Sequence, residues 1–117
     1  MRIEHADSSQ EKGWLFGPWN SNSELSIGYA NKGIDEPHVH GTVTEIYLVG
    51  QGNAKVRVND QTITIGAGDV LRVDPGEAHT FISNTEDYFH FVIHYPGLTG
   101  SEVVVDKKLV LRSDLGL

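Results

Sequence analysis

The sequence predicts an all-β protein of the sandwich or barrel type. Roughly eight to ten short segments alternate apolar and polar residues, and glycine, proline and asparagine turns separate them. No segment has a convincing helical period. With 117 residues, the chain is long enough for one domain with a core, which we expect to span residues 1–117.

The predicted elements begin with a polar N-terminal arm at residues 1–13, which is either loose or paired with the edge of a sheet. The core strands lie within residues 24–95, and residues 102–111 are predicted to form the last strand. A tight hairpin is predicted at Asn59-Asp60, because asparagine and aspartate tolerate a positive φ. The predicted core strands are 24–30, 45–49, 53–58, 61–65, 69–73, 79–83 and 88–95.

An aromatic cluster precedes the core strands. Trp14, Phe16 and Trp19 lie close together in the sequence, and Gly17-Pro18 interrupts them. We interpret the cluster as a strand that covers one end of the core, and the alternative is a surface that stacks on a ligand.

Composition excludes several classes of protein. The net charge is −7 and there is no basic stripe, so we do not expect a nucleic-acid partner. No apolar run is long enough to span a bilayer, and the first residues lack the apolar core of a signal peptide. We therefore expect no membrane partner and, by default, a cytoplasmic location. Cysteine is absent, which excludes disulfide and thiolate chemistry.

The most informative stretch contains His38, His40 and Glu45. On a strand the two histidines point to the same face, whereas an unbroken strand would turn Glu45 to the opposite face. A turn or bulge at residues 41–44 can reset this phase and place Glu45 beside the histidines. His79 follows a later turn. Three imidazoles and one carboxylate form a plausible set of metal ligands.

These residues resemble the two cupin motifs. In the first motif, His38, His40, Glu45 and Gly52 fall in register; in the second, Gly68, Gly76, His79 and Asn84 correspond. The sequence departs from the motifs only in loops. Four residues separate Gly33 from His38 where the family usually has five, Asp74 occupies a position that is usually proline, and Asn84 comes one residue later than in the motif. The resemblance covers roughly residues 24–95 and implies a small double-stranded β-helix, or jelly roll, with its site in the barrel mouth.

The resemblance also implies that His38, His40, Glu45 and His79 hold one divalent transition metal. Mixed nitrogen and oxygen ligands suit iron, manganese, nickel, cobalt or zinc and do not choose among them. The expected function is that of a metal-dependent enzyme acting on a small molecule. Its chemistry would be dioxygenase-type oxidation or isomerase or lyase chemistry at a metal-chelated oxygen substrate. The alternative is a non-catalytic module that binds a small ligand or a metal.

Three further residues are candidates for acid–base catalysis: Tyr47, His90 and His94. Tyr47 shares the face of Glu45, where it would either meet a substrate or act as a core tyrosine. Residues 89–95 have two faces, one aromatic and one carrying His90 and His94. If the histidine face points inward, either histidine can serve as a base near the metal. If the aromatic face points inward, both lie outside.

Strand phase predicts that Lys55, Arg57 and Arg72 point outward, because their apolar neighbours fill the core. The lining is therefore expected to hold few cations, which suits a neutral or weakly polar ligand. The surplus aromatics at residues 14–19 and on one face of residues 89–95 predict a homodimer, because apolar stripes left in water mark interfaces.

Overall fold

The computed structural model describes residues 1–117, which form ten strands, one short α-helix and a 3₁₀ turn. The first five strands are β1 (Lys12–Phe16), β2 (Ser26–Ala30), β3 (His38–His40), β4 (Thr44–Gln51) and β5 (Asn53–Val58). The others are β6 (Gln61–Gly66), β7 (Val70–Val73), β8 (His79–Asn84), β9 (Phe89–Tyr95) and β10 (Lys107–Leu109). The helix α1 spans Gly100–Asp106, and the 3₁₀ turn spans Arg112–Leu115.

The strands form two five-stranded antiparallel sheets. One sheet has the order β1-β2-β9-β4-β7 and the other has the order β10-β3-β8-β5-β6. Consecutive strands alternate between the sheets along much of the chain, which is the jelly-roll arrangement that the sequence predicts. The predicted all-β fold is confirmed.

Side-chain alternation places the core between the two sheets. Along β4, Glu45, Tyr47 and Val49 are buried while Ile46 and Leu48 are only half-buried. The same alternation leaves Lys55 and Arg72 exposed, as predicted. The eight residues of the main core are Tyr47, Val49, Ala54, Val56, Ile65, Val73, Phe81 and Tyr88.

Two turns fix the register of these strands. Asn59 has a φ of 50° and joins β5 to β6, so the predicted hairpin is present. Gly52, between β4 and β5, has a φ of 68°, and a Cβ there would lie 2.4 Å from Thr85 Oγ1. Only glycine fits this position without strain, which explains its place in the first motif.

The predicted strand at residues 102–111 is wrong for most of its length. Residues 100–106 form α1, and only Lys107–Leu109 pairs, with β3. The three consecutive valines Val103, Val104 and Val105 suggested a strand, because β-branched residues favour strands. Instead Glu102 accepts hydrogen bonds from both Thr99 N (2.9 Å) and Thr99 Oγ1 (2.8 Å), which fixes a helix start.

The N-terminal arm packs against the first sheet, and its last residues, Lys12 and Gly13, pair with β2 in the edge strand β1. The Tyr29 hydroxyl donates to the carbonyl oxygen of Asp7 at 3.1 Å, and the Arg2 guanidinium lies over the Phe16 ring. Both contacts attach the arm to β1 and β2. Neither helical segment of the chain has the length or the apolar character needed to cross a bilayer.

The outer face of the first sheet is apolar. Cross-strand pairs on this face join Ile46 to Ile93 and Leu48 to Phe91. Val70 and Tyr95 flank them, with 62% and 55% of their surface exposed. The aromatic residues of β9 therefore point outward, away from the core.

Candidate metal centre

Four histidines and one glutamate converge between the two sheets. His38 and His40 come from β3, His79 from β8, Glu45 from β4, and His94 from β9. The chain leaves β3 after His40 and re-enters a strand at Thr44, so the predicted phase reset at residues 41–44 is present. Direct pairing of His38 with His79 and of Glu45 with His94 aligns the side chains across the strands.

The Glu45 carboxylate lies at the centre of this cluster and is 4% exposed. Its Oε1 lies 2.9 Å from Nε2 of His40, 3.1 Å from that of His79 and 3.3 Å from that of His38. Its Oε2 lies 3.2 Å from Nε2 of His94. Two overlapping groups, His38-Glu45-His79 and His40-Glu45-His94, are compact enough to hold a metal ion.

Three of these imidazoles are held through their other ring nitrogen. Nδ1 of His38 donates to the Glu36 carbonyl (2.7 Å), and Nδ1 of His79 donates to the Glu77 carbonyl (3.1 Å). Nδ1 of His40 donates to the Asp106 carboxylate at 2.9 Å. Because Nδ1 carries the proton, the neutral ring presents the lone pair of Nε2 to the centre. Metal-binding histidines are typically oriented in this way.

This arrangement requires a cation. Lone pairs on three Nε2 atoms and a carboxylate repel one another unless a metal ion or protons lie between them. When protons rather than an ion lie between these atoms, the Nε2–H groups donate to Glu45: burial by itself would raise the pKa of Glu45, but hydrogen bonds from the four histidines hold it well below its usual range. Burial would lower the pKa of His40, yet the Glu45 and Asp106 carboxylates raise it. The donor set therefore fits a divalent metal ion, which would replace the protons.

Asp106 is a site residue that the sequence analysis missed. It lies at the end of α1, and its carboxylate also accepts hydrogen bonds from the backbone of Thr42 (2.7 Å) and Val43 (3.3 Å). It thus fixes both the His40 ring and the turn before Glu45. Asp106 is 66 residues from His40 in sequence, and no motif spacing links the two.

Tyr47 lies beside the centre, as its phase with Glu45 predicts. Its hydroxyl donates to Glu45 Oε2 at 2.6 Å and lies 3.3 Å from His79 Nε2. Burial, together with the adjacent Glu45 carboxylate, raises the pKa of Tyr47 well above its usual value. The side chain is therefore a neutral hydroxyl whose proton points at the centre.

Of the two faces of residues 89–95, the face with the histidines points into the barrel. His90 and His94 are 4% and 7% exposed and point inward. His94 contacts Glu45, whereas His90 lies deeper and its Nδ1 is 2.7 Å from the Tyr88 hydroxyl. Burial lowers the pKa of His90 to about 4, so this ring is neutral at physiological pH. Of the two, only His94 belongs to the cluster around Glu45.

A cavity of about 400 Å³ opens over the cluster. Trp14 of β1 forms part of its wall, with its indole 4.8 Å from the His94 ring between centroids. Of the aromatic cluster at residues 14–19, Trp14 therefore lies at the site, while Phe16 and Trp19 do not line the cavity. The expectation of a lining with few cations is also corrected, since Lys12 and Lys107 line the cavity. They come from the two ends of the chain, where strand phase carried no information about the barrel interior.

A family model described as a cupin domain matches residues 27–95. The chain belongs to the cupin family. Both motifs predicted from the sequence fall within the matched residues, and the two-sheet barrel agrees with them. No curated protein matches the chain.

Solved cupin barrels resemble the whole chain at low sequence identity. Streptomyces Pac13, described as a unique nucleoside dehydratase, is 14% identical over 92% of each chain, with a TM-score of 0.64. KdgF from Halomonas is 16% identical, covering 78% of this chain and 81% of that chain, with a TM-score of 0.64. A protein from Planctomyces limnophilus is 18% identical, covering 92% and 96%, with a TM-score of 0.67. These similarities show the shared fold.

Replacing His90 is expected to change how stability depends on pH. Unfolding restores an ordinary histidine pKa near 6.5 from about 4, so the unfolded chain binds a proton that the folded chain excludes. The free energy of unfolding should fall as pH decreases across this window, by up to about 3 kcal/mol from His90. In His90→Gln the free energy of unfolding should lack this part of its decrease with falling pH.

The measurement is denaturant unfolding with a chelator present, from neutral pH down to pH 4. His5→Gln is the control, because His5 is an exposed histidine in the N-terminal arm. A pH dependence in His90→Gln equal to that of the wild type would show that His90 titrates normally.

Proposed function

We propose that the protein is a metal-dependent cupin enzyme that carries out proton-transfer chemistry, of the lyase or isomerase type, on a small molecule. The observation that supports this best is the orientation of His38, His40 and His79, whose Nδ1 atoms are all held so that their Nε2 lone pairs meet at Glu45. These three histidines and Glu45 would hold the ion. An ion bound there supplies Lewis acidity toward a substrate oxygen and increases the acidity of the adjacent C–H or O–H group.

The remaining side chains divide the acid and base roles. Tyr47 carries a proton beside the centre and can donate it to a leaving group or a developing oxyanion. His94 contacts Glu45 through Nε2 and has no hydrogen-bond partner at Nδ1, which leaves that nitrogen open to a substrate, and we assign it the role of base. Both side chains contact Glu45 Oε2, so a proton donor and a proton acceptor lie beside the same point of the centre, as elimination and isomerisation require.

His90 is assigned a different role. Its low pKa keeps it neutral, and it is separated from the cluster by Tyr47, with 5.0 Å between the ring centroids. It lines the cavity, so it can accept a hydrogen bond from a substrate that reaches this depth. We propose that it positions the substrate, and that Tyr47 and His94 carry the chemistry.

The metal assignment predicts that the purified protein carries about one divalent ion per chain and that Glu45→Gln weakens binding. Glutamine keeps the shape of Glu45 but removes the charge that balances the ion. We expect affinity to fall by at least about tenfold, or about 1.4 kcal/mol. The metal-loaded variant should also melt at a lower temperature than the loaded wild type, while the chelator-treated forms differ little.

These quantities are measured by elemental analysis, by calorimetric titration with iron, manganese, nickel, cobalt and zinc, and by melting curves. Glu86→Gln is the matched control, because Glu86 is an exposed carboxylate with no hydrogen-bond partner at the site. Failure of all five metals to bind the wild type would contradict the assignment. Equal affinities of wild type and Glu45→Gln would remove Glu45 from the centre.

The enzymatic assignment predicts that Tyr47→Phe binds metal within about threefold of the wild type but loses turnover by about 10²-fold or more, the range for a missing general acid. The loaded protein is incubated with a small-molecule extract of its source cells, and substrate loss and product formation are followed by mass spectrometry. Parallel samples without dioxygen identify oxidation. Consumption that requires dioxygen would replace the proposed chemistry, and no consumption at all would favour a non-catalytic binding module.

We also propose that two copies pair through the apolar outer face of the first sheet. The centre of this face is Phe91, which is 40% exposed and lies opposite Leu48. A two-fold pair of such sheets would remove the apolar surface from water. The pairing does not use Trp14, which lies at the cavity.

Light scattering at micromolar concentrations is expected to give the mass of a dimer, and Phe91→Lys is expected to give that of a monomer. Leu109→Lys is the control: Leu109 is 70% exposed but lies on β10, at the edge of the other sheet. A monomeric wild type would contradict the proposed pairing.

A further inference from the structure

The charged residues that line the cavity are distributed unevenly in depth. Glu45 lies at the bottom among the histidines, whereas Lys12, Glu36 and Lys107 belong to segments at the chain ends and the loop before β3. Two cations therefore balance two anions, although the whole chain has a net charge of −7. A divalent ion held by Glu45 would give the cavity a positive electrostatic potential, although the protein as a whole is acidic. Such a field attracts anions into the cavity.

The two lysines at the mouth are in different states. Lys107 is paired with Glu36, and this pair is only partly exposed. Lys12 forms no ion pair, and it interacts with Glu36 only through longer-range electrostatic attraction. The Lys107 ammonium, and more weakly that of Lys12, hold the pKa of Glu36 below its usual range. Lys12 is thus the cation that is available to a ligand.

Part of the cavity wall is apolar. Trp14, Ile34, Val92 and Val103 contribute to it. The Trp14 ring contacts His94 edge-on, so part of its surface, 48% of the residue, stays exposed at the mouth. An indole of this kind favours a flat, unsaturated skeleton. The cavity thus offers a metal centre, an apolar wall and a free cation. A ligand that matches all three has an oxygen for the metal, a flat carbon skeleton and a negative charge at its far end.

We propose that the substrate is a small planar organic carboxylate, bound with its hydroxyl or carbonyl oxygen toward the His38-His40-Glu45-His79 cluster and its carboxylate at Lys12. This inference rests on the proposed metal-dependent function and adds the substrate class. It reverses the expectation of a neutral ligand, because that expectation considered only the core strands. Lys12 acts on the charged end of the substrate, and Trp14 acts on its skeleton.

Two probes that differ only at the far end test the proposal. Comenate and kojic acid are both flat hydroxypyranones that chelate metals through the same two oxygens. Comenate has a carboxylate where kojic acid has a neutral hydroxymethyl group. Binding of each to the Zn²⁺-loaded protein is measured by calorimetry, so no turnover is needed. We expect comenate to bind at least about tenfold more tightly, and the difference to narrow as ionic strength increases.

Charge variants should shift this preference in opposite directions. Lys12→Gln should reduce the preference for comenate over kojic acid to less than about threefold. Glu36→Gln should increase this preference, because Lys107 is then free to bind the carboxylate. Kojic acid affinity should stay nearly constant in both. Lys55→Gln is the control, since Lys55 is an exposed lysine on β5 outside the cavity, and it should leave the preference unchanged. Trp14→Leu should weaken both probes alike.

The outcomes separate this inference from the function on which it rests. If Zn²⁺ binds but wild type shows no preference for comenate, or if neither probe binds, the proposed substrate class is wrong and the metal site stands. A preference that persists in Lys12→Gln would likewise overturn the role of Lys12. If titration shows that no metal binds, the proposed function itself fails.

Discussion

The structure depends on the buried carboxylate of Glu45. A charge at 4% exposure is destabilising unless other groups compensate it, and here four imidazoles and one hydroxyl do so from four strands. Because the ligand atoms must meet within about hydrogen-bonding distance, the two sheets cannot slide relative to each other without leaving Glu45 unpaired. The same requirement makes the cluster receptive to a divalent ion.

The orientation of the imidazoles comes from their surroundings. His38 and His79 are held by carbonyl oxygens two residues before them, so each strand start supplies its own support. His40 instead depends on Asp106, which belongs to α1 and also caps the turn before β4. The C-terminal segment is therefore part of the centre, although it lies outside the family-matched residues 27–95.

The central part of the chain and its two ends supply different parts of the site. The matched region supplies the four predicted ligands together with Tyr47 and His94, which sit at the bottom of the cavity. Lys12, Trp14, Val103 and Lys107 come from outside that region and line the same cavity. The solved barrels at 14–18% identity share the fold, and a shared fold does not by itself fix the ligand.

The sequence by itself determined the all-β fold, the hairpin at Asn59 and the shared face of His38, His40 and Glu45, because alternation and turn chemistry act over a few residues. His79 was joined to this set by the resemblance to the two cupin motifs. It did not determine α1, since a valine run favours a strand until capping by Glu102 is considered. Only the tertiary structure decided which face of β9 points inward, because either face could have been buried. Asp106 meets His40 from 66 residues away in sequence, and Lys12 and Lys107 reach the cavity on β1 and β10 at the ends of the chain. No local pattern encodes such contacts.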